Sequence, residues 1–224
     1  MKKQRKRAGF PTARLEAKLR KFQGHIKVAG CDEVGVGALA GPLVVAAVVL
    51  NPRRKIEGLN DSKKLSPKRR EELAKEIKSK AWDYFVSFYP ASFIDEVNPH
   101  KTSKLGMEAC VRALILAAPT FVITDAMKLT DCSVPHKALV HGDQKSISVA
   151  AASIIAKVAR DEYMVLLDEK YPEFGFADNK GYGTKEHLMA LKKHGPCPEH
   201  RLSYRPVQDS IQGLPEADVD RQER

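Results

Sequence analysis

Four carboxylates stand where an α/β protein commonly does chemistry. Asp32 and Glu33 follow the apolar run 26–31, Asp125 ends the run 121–124, and Asp143 comes just after the run 138–140. Acidic residues placed directly after apolar strands gather at one rim of a sheet if those strands are parallel, and open α/β sheets bind ligands at that rim. Carboxylates crowded together repel unless a divalent cation neutralises them, and oxygen donors with retained waters suit Mg²⁺ or Mn²⁺. Such a set can hold two ions about 4 Å apart, which activate a water and stabilise the leaving oxygen of a phosphodiester. Strand-end aspartates are also ordinary turn and cap formers, and Asp143 could simply cap the helix after it. Neighbouring side chains point to opposite faces of a regular strand. Asp32 and Glu33 can therefore share a site only if the strand has ended or bulged, which Gly35 permits.

Other motifs carry less. Gly35-x-Gly37-x-x-Ala40 fits a dinucleotide fingerprint as a string, but that fingerprint needs a helix to open at the second glycine. Here Pro42-Leu43-Val44-Val45 follows, a β-branched strand, so the context excludes it. Cys132-x₃-His136 and Cys197-x₂-His200 resemble halves of a zinc site that nothing in the sequence brings together. His25, His100, His187 and His194 read as surface residues, and Tyr163 and Phe174 as core. No Ser-His-Asp arrangement is visible.

The elements that must position the carboxylates follow from periodicity. Leu15, Leu19 and Phe22 mark a short helix over 12–22, ended by Gly24. The strands 26–31 and 43–50 are joined so briefly that they must be antiparallel. Ser66-Pro67 caps and starts a helix reaching Lys80. A strand at 82–89 is followed by helical patterns at 93–97 and 104–117, with Pro119 as breaker. Short strands at 121–124 and 138–140 precede a long helix over 146–170, a Gly/Pro-punctuated stretch over 172–183, and a helix over 185–194. This order is an α/β architecture with a mixed sheet.

Charge and composition bound the function. The 43% hydrophobic and 29% charged content excludes a wholly disordered chain, and no apolar run is long enough to cross a membrane. Four cysteines without a CxxC pair point to a reducing compartment, hence the cytoplasm. The net charge is +10, and residues 1–24 hold nine Lys/Arg against the single acid Glu16. A basic arm of this kind is a handle for a polyanion such as nucleic acid, or else a solvated terminus. No apolar segment follows it as in a secretory signal. Residues 207–224, with five acids and two bases, read as a disordered tail.

Several segments together resemble the ribonuclease HII family, the type 2 ribonucleases H, from about residue 28 to 207. They are VAGCDEVGVGALAGP, LNDSKKLSPKRREEL, VITDAMKL, HGDQKSISVAAASIIAKVARDEYM, YPEFGF, KGYGTKEH and GPCPEHRLSYRPV. The resemblance implies a ribonuclease H-like fold, with a mixed five-stranded sheet flanked by helices and a C-terminal helical extension. The domain layout would be a basic arm over 1–24, a catalytic domain over 25–206 and a tail from 207. It implies a monomeric, metal-dependent endonuclease that binds two Mg²⁺ or Mn²⁺ ions and hydrolyses the RNA strand of RNA–DNA hybrids. Such an enzyme also cuts 5′ of single ribonucleotides in duplex DNA, leaving 3′-hydroxyl and 5′-phosphate ends, and so serves ribonucleotide excision and RNA primer removal.

Carried over by position, the family's metal carboxylates fall on Asp32, Glu33, Asp125 and Asp143, with Asp32 bridging the two ions. The tyrosine that packs on the junction sugar falls on Tyr182, and Lys63 and Lys64 resemble phosphate contacts. The family's Gly-Arg-Gly is Gly35-Val36-Gly37 here. If that motif reads the 2′-hydroxyl through its backbone, the two glycines preserve it. If the arginine side chain matters, junction specificity or phosphate affinity is weaker. Two other functions stand beside this one: a binding module that lost turnover because of Val36, and a sibling enzyme that favours long hybrids over single ribonucleotides.

Overall fold

A computed structural model describes residues 11–212. The described chain forms two compact units, one of residues 11–34, 44–87 and 104–158, the other of residues 35–43, 88–103 and 159–212.

The first unit is built on a five-stranded sheet in the order β3-β2-β1-β4-β5, from β1 (Val28–Val34), β2 (Leu43–Val49), β3 (Asp83–Tyr89), β4 (Phe121–Asp125) and β5 (His136–Leu139). β2 is antiparallel to β1, while β1, β4 and β5 are mutually parallel, so the sheet is mixed as expected. Every residue of β2 is apolar and buried, the pattern of a strand covered on both faces. Helix α1 (Arg14–Gln23) ends on Gly24 at φ +70, the left-handed turn that glycine adopts without cost. Ser66 caps α2 (Pro67–Lys80) by accepting from the Arg69 N–H, with Pro67 at the first helical position. Leu19, Val28, Ile123 and Val149 pack together between α1, β1, β4 and the start of α5 (Ile147–Lys170).

β1 runs three residues further than its apolar run. Asp32 and Glu33 lie within the strand and pair one-to-one with Ala46 and Val45 of β2, so the expected break or bulge is absent. The parallel ladder to β4 stops one residue earlier, at Cys31–Thr124.

In the second unit, Leu39, Ala40, Met164, Leu167, Phe174, Phe176, Leu191 and Val207 form the core. Its helices are α3 (Ala91–Val97), the start of α4 (Pro99–Ala113), α6 (Phe176–Asn179), α7 (Lys185–His194) and α8 (Arg205–Gln212). α4 starts and stops earlier than its periodicity suggested. The chain expected to be a tail at 207 is still helical there, with Val207 buried because it closes the core beneath α7 and α8. Residues 1–10 of the basic arm and 213–224 of the tail lie outside the described residues. No described helix is long and apolar enough to cross a membrane.

One contact sets how closely the site's elements approach. A Cβ on Gly30 would stand 2.1 Å from the carbonyl carbon of Ser148 and 2.3 Å from the nitrogen of Val149, both backbone atoms in the first turn of α5. Only glycine lets β1 and α5 meet there. Gly30→Ala should therefore cost roughly 2–3 kcal/mol, read as a lower urea midpoint. An unchanged midpoint would show that α5 does not sit against β1.

Candidate functional site

In the first unit the four acidic residues, from three segments, act on one another: the charge of Asp125 bears on Asp32, Glu33 and Asp143. β1 neither ends nor bulges at Asp32 and Glu33, which corrects the expectation that these two could share a site only if it did. Parallel pairing of β1 with β4 sets Asp32 beside the end of β4, where Asp125 is the last residue. Asp125 Oδ1 accepts from the Gly142 N–H at 2.8 Å, which draws the turn carrying Asp143 onto the same rim. Two non-glycine residues there adopt left-handed backbone, Ala126 at φ +52 directly after Asp125 and His141 at φ +56 just before Gly142. Strain of this kind persists where surrounding structure enforces it, and it accumulates at functional sites.

The electrostatics are those of a cluster held together against repulsion. Burial pushes the Asp32 carboxyl well above its ordinary range, and the charges of Glu33 and Asp125 push it further. Glu33 is raised to about 7, first by desolvation and then by Asp125, with Lys63 opposing. Asp143 is raised by burial, by Asp61 and by Asp125, again with Lys63 opposing. Asp32 Oδ1 accepts from the Glu33 N–H at 2.9 Å, and the Ser153 hydroxyl also bonds this carboxylate. Glu33 Oε2 is buried with no hydrogen-bond partner. An orphaned carboxylate oxygen inside a cluster of like charges is what a hard cation would satisfy, so the all-oxygen donor set fits Mg²⁺ or Mn²⁺. Among the described residues no three acidic, histidine or cysteine side chains are grouped closely enough to hold a metal ion as they stand.

Several members of this neighbourhood escaped the sequence reading. Asp61 is buried, accepts from the Lys63 N–H at 3.0 Å, and lies 3.4 Å from Gln144 Nε2 and 3.8 Å from Lys64 Nζ. Ser62 Oγ lies 3.0 Å from Ser153 Oγ, so the Asp61–Lys64 loop is tied through two hydroxyls to Asp32. The signal was present in the string LNDSKKL, but a turn before a helix offers the same residues without a site. Lys63 and Lys64 are both exposed. Lys63 acts on Glu33 and Asp143 through its charge, while Lys64 faces Asp61.

The second unit carries the glycine loop and Tyr182. Two fully buried arginines hold the loop by its carbonyls. Arg160 donates to the carbonyls of Ala40 (3.1 Å), Pro42 (2.9 Å) and Lys180 (2.8 Å). Arg201 donates to those of Val36 (2.9 Å) and Gly41 (3.0 Å), and to the Tyr204 hydroxyl, which itself bonds Val36 O. Burial lowers Arg160 to about 10, which leaves it charged at neutral pH. With these carbonyls turned inward, Val36 and Gly37 are exposed, and a Cβ on Gly37 would meet nothing within 4 Å. Tyr182, 37% exposed, lies with its ring 5.4 Å from the Arg160 guanidinium.

His187 is buried rather than on the surface, because α7 turns it inward against His200, Phe174 and Phe176. Phe174 is core as expected. The zinc half-sites do not form. Cys132 Sγ and His136 Nδ1 both turn to the Val134 carbonyl, and Cys197 Sγ lies against Nδ1 of His200, away from the Nε2 that faces His187.

Comparison with known proteins bears on these features together. The ribonuclease HII family model matches residues 29–207. Ribonuclease HII of Desulfitobacterium hafniense is 46% identical over 203 residues, covering 88% of this chain and 78% of that protein. The crystal structure of ribonuclease H2 from Pyrococcus horikoshii superposes with a TM-score of 0.72 at 28% identity, over 84% of this chain and 98% of that one. Bst-RNase HIII in complex with Mn²⁺ superposes with a TM-score of 0.64 at 20% identity, over 84% of this chain and 70% of that one, a likeness of fold.

The raised carboxylates give a pH test in the metal-free protein. The folded state holds Glu33 at about 7 against an ordinary 4.5, so it binds the proton more tightly than the unfolded chain does. Its penalty is therefore absent below about pH 4.5 and grows as pH rises through 7. With a chelator present, Glu33→Gln should melt at nearly the wild-type temperature at pH 5 and several degrees higher at pH 7.5. A difference that stays constant with pH would place Glu33 in ordinary solvent.

Proposed function

The chain belongs to the ribonuclease HII family and is a ribonuclease H, and from that premise we propose that it cuts duplex DNA 5′ of single embedded ribonucleotides as well as the RNA strand of RNA–DNA hybrids. The observation that carries this is the cluster of buried Asp32 and Asp143 with half-buried Glu33 and Asp125, their carboxyls raised by burial and by one another and one Glu33 oxygen left without a partner. A pair of divalent ions bound there would supply an activated water and charge stabilisation at the leaving oxygen. The residues do the rest. Asp32 and Glu33 lie on the covalently continuous β1, Asp125 holds the turn of Asp143 through Gly142, and Ser153 orients Asp32. Lys63 offers an exposed positive charge beside the cluster, suited to a phosphate of the nucleic-acid backbone. No side-chain nucleophile is required, and hydrolysis by water leaves a 3′-hydroxyl and a 5′-phosphate. Those ends suit excision of ribonucleotides and removal of RNA primers.

Discrimination of the ribose falls to the second unit. Nothing inside the protein demands glycine at position 37, so its lack of a side chain is useful only to something approaching from outside. The Gly35-Val36-Gly37 backbone is thus suited to meet a 2′-hydroxyl, and the exposed face of Tyr182 to pack on the sugar. This reading is indifferent to the side chain at 36, which points to a competent junction reader despite Val36.

Incubation with a DNA duplex containing one ribonucleotide, in Mg²⁺ or Mn²⁺, should give a single cut 5′ of it. Asp125→Asn or Asp143→Asn should lower turnover by a hundredfold or more, on the order of 3 kcal/mol, while duplex affinity stays within a few fold. Full activity in both variants contradicts the metal assignment, and no cleavage by the parent protein leaves a binding module. Val36→Arg should tighten binding to every duplex, by about tenfold if one charge-assisted phosphate contact forms. The ratio of single-ribonucleotide to hybrid cleavage should barely change. A steep rise in that ratio would assign the ribose sensor to the side chain.

A further inference from the structure

Three consecutive carbonyls precede or belong to Tyr182, and each is gripped from a different direction. Arg160 donates to Lys180 O, the Leu39 and Ala40 N–H groups donate to Gly181 O at 2.7 and 3.2 Å, and His187 Nδ1 lies 2.9 Å from Tyr182 O. The first two grips come from the glycine loop and the arginine that holds it. The third leads elsewhere. His187 Nε2 faces His200 Nε2 at 3.0 Å, and His200 Nδ1 lies 3.0 Å from the Cys197 N–H. Both imidazoles are buried, walled by Phe174 and Phe176.

The hydrogen-bond partners fix every proton in this chain. A backbone N–H can only donate, so His200 Nδ1 accepts and its proton sits on Nε2. A carbonyl can only accept, so His187 carries its proton on Nδ1 and presents a lone pair at Nε2. The result is one directed sequence: Cys197 N–H to His200, His200 Nε2–H to His187, and His187 Nδ1–H to the Tyr182 carbonyl. Both rings must be neutral for it to close. Desolvation favours this, holding His187 below its ordinary value and bringing His200 to about 4. A surface role explains none of this, and neither does a metal site, since Cys197 Sγ is on the wrong side of His200 to share an ion with His187.

We propose that His187 is a positioning residue whose Nδ1–H fixes the Tyr182 backbone, with His200 setting the tautomer that puts the proton on Nδ1, and so sets the orientation in which Tyr182 meets the sugar. The inference rests on the reading of Tyr182 as a ribose contact. The arrangement also explains why the two histidines must be a pair: a single imidazole cannot both hold the Tyr182 carbonyl and reach the Cys197 N–H.

Two variants of His187 separate positioning from packing. The amide of His187→Asn overlays Nδ1 and keeps a donor for Tyr182 O, whereas that of His187→Gln overlays Nε2 and keeps only the contact with His200. The readout is the ratio of kcat/KM on single-ribonucleotide duplex to that on RNA–DNA hybrid, with Tyr182→Ala measured alongside. Tyr182→Ala should lower the ratio, His187→Gln should lower it by about fivefold to tenfold, and His187→Asn should stay within about twofold of the parent. If Tyr182→Ala lowers the ratio but Asn and Gln at 187 behave alike, the positioning role is overturned and the tyrosine reading stands. If Tyr182→Ala leaves the ratio unchanged, the tyrosine reading fails and takes this inference with it. The unmodified protein provides a check that needs no variant to fold. Imidazole ¹⁵N shifts at neutral pH should show His187 protonated on Nδ1 and His200 on Nε2, and the opposite tautomers or a charged ring would overturn the proposal.

Discussion

The constraint on which the first unit depends is a set of carboxylates that the fold takes out of water and keeps beside one another. β1 and β4 are locked side by side by their ladder, and Asp125 is tied to Gly142, so the backbones that carry Asp32, Glu33, Asp125 and Asp143 cannot move apart without breaking hydrogen bonds. Each pKa unit of upward shift corresponds to about 1.4 kcal/mol of unfavourable differential interaction. The left-handed residues Ala126 and His141 add backbone strain to the same turns. The close approach of β1 and α5 at Gly30 and the hydroxyl relay from Ser62 through Ser153 give this arrangement its rigidity. A cation of high charge would relieve the repulsion among these carboxylates.

The second unit solves the opposite problem. Arg160 and Arg201 are buried cations whose hydrogen bonds go chiefly to carbonyl oxygens. Burying a charge is tolerable only when its donors are satisfied, and a guanidinium has five of them in a fixed fork. Turning the carbonyls of residues 36 and 40–42 inward satisfies those donors and leaves Val36 and Gly37 on the outside. The loop's presentation is thus a consequence of how its cations are solvated, and the side chain at 36 has little part in it.

Much of this was legible in the sequence. Periodicity and caps placed α2, α7 and the mixed sheet, because Ser66-Pro67 and the uninterrupted apolar run of β2 report local physics directly. The rim carboxylates were legible because strand ends are where open sheets place function. The length of β1 was not, since Asp32 and Glu33 interrupt the apolar run while their backbones still pair with β2. His187 and the buried arginines were missed for a related reason. A polar side chain reads as exposed unless its partners are known, and those partners lie 13 residues away for His187 and up to 120 for Arg160. Asp61 and Ser153 were hidden in the same way, one in a turn-like string and the other among the alanines of a helix.

The central claim is that metal entry displaces protons that burial and neighbouring charges hold on the carboxylate cluster. Titration of metal-free protein with Mn²⁺ at pH 6.5, by calorimetry in two buffers of different ionisation enthalpy, counts the protons exchanged on binding. Net proton release is expected, with Glu33 and Asp32 among its sources, and it should fall in Glu33→Gln. Metal binding with no proton release in the unmodified protein would contradict the account, because the carboxylates would then be fully ionised at this pH and neither burial nor their neighbours' charges would be holding protons on them.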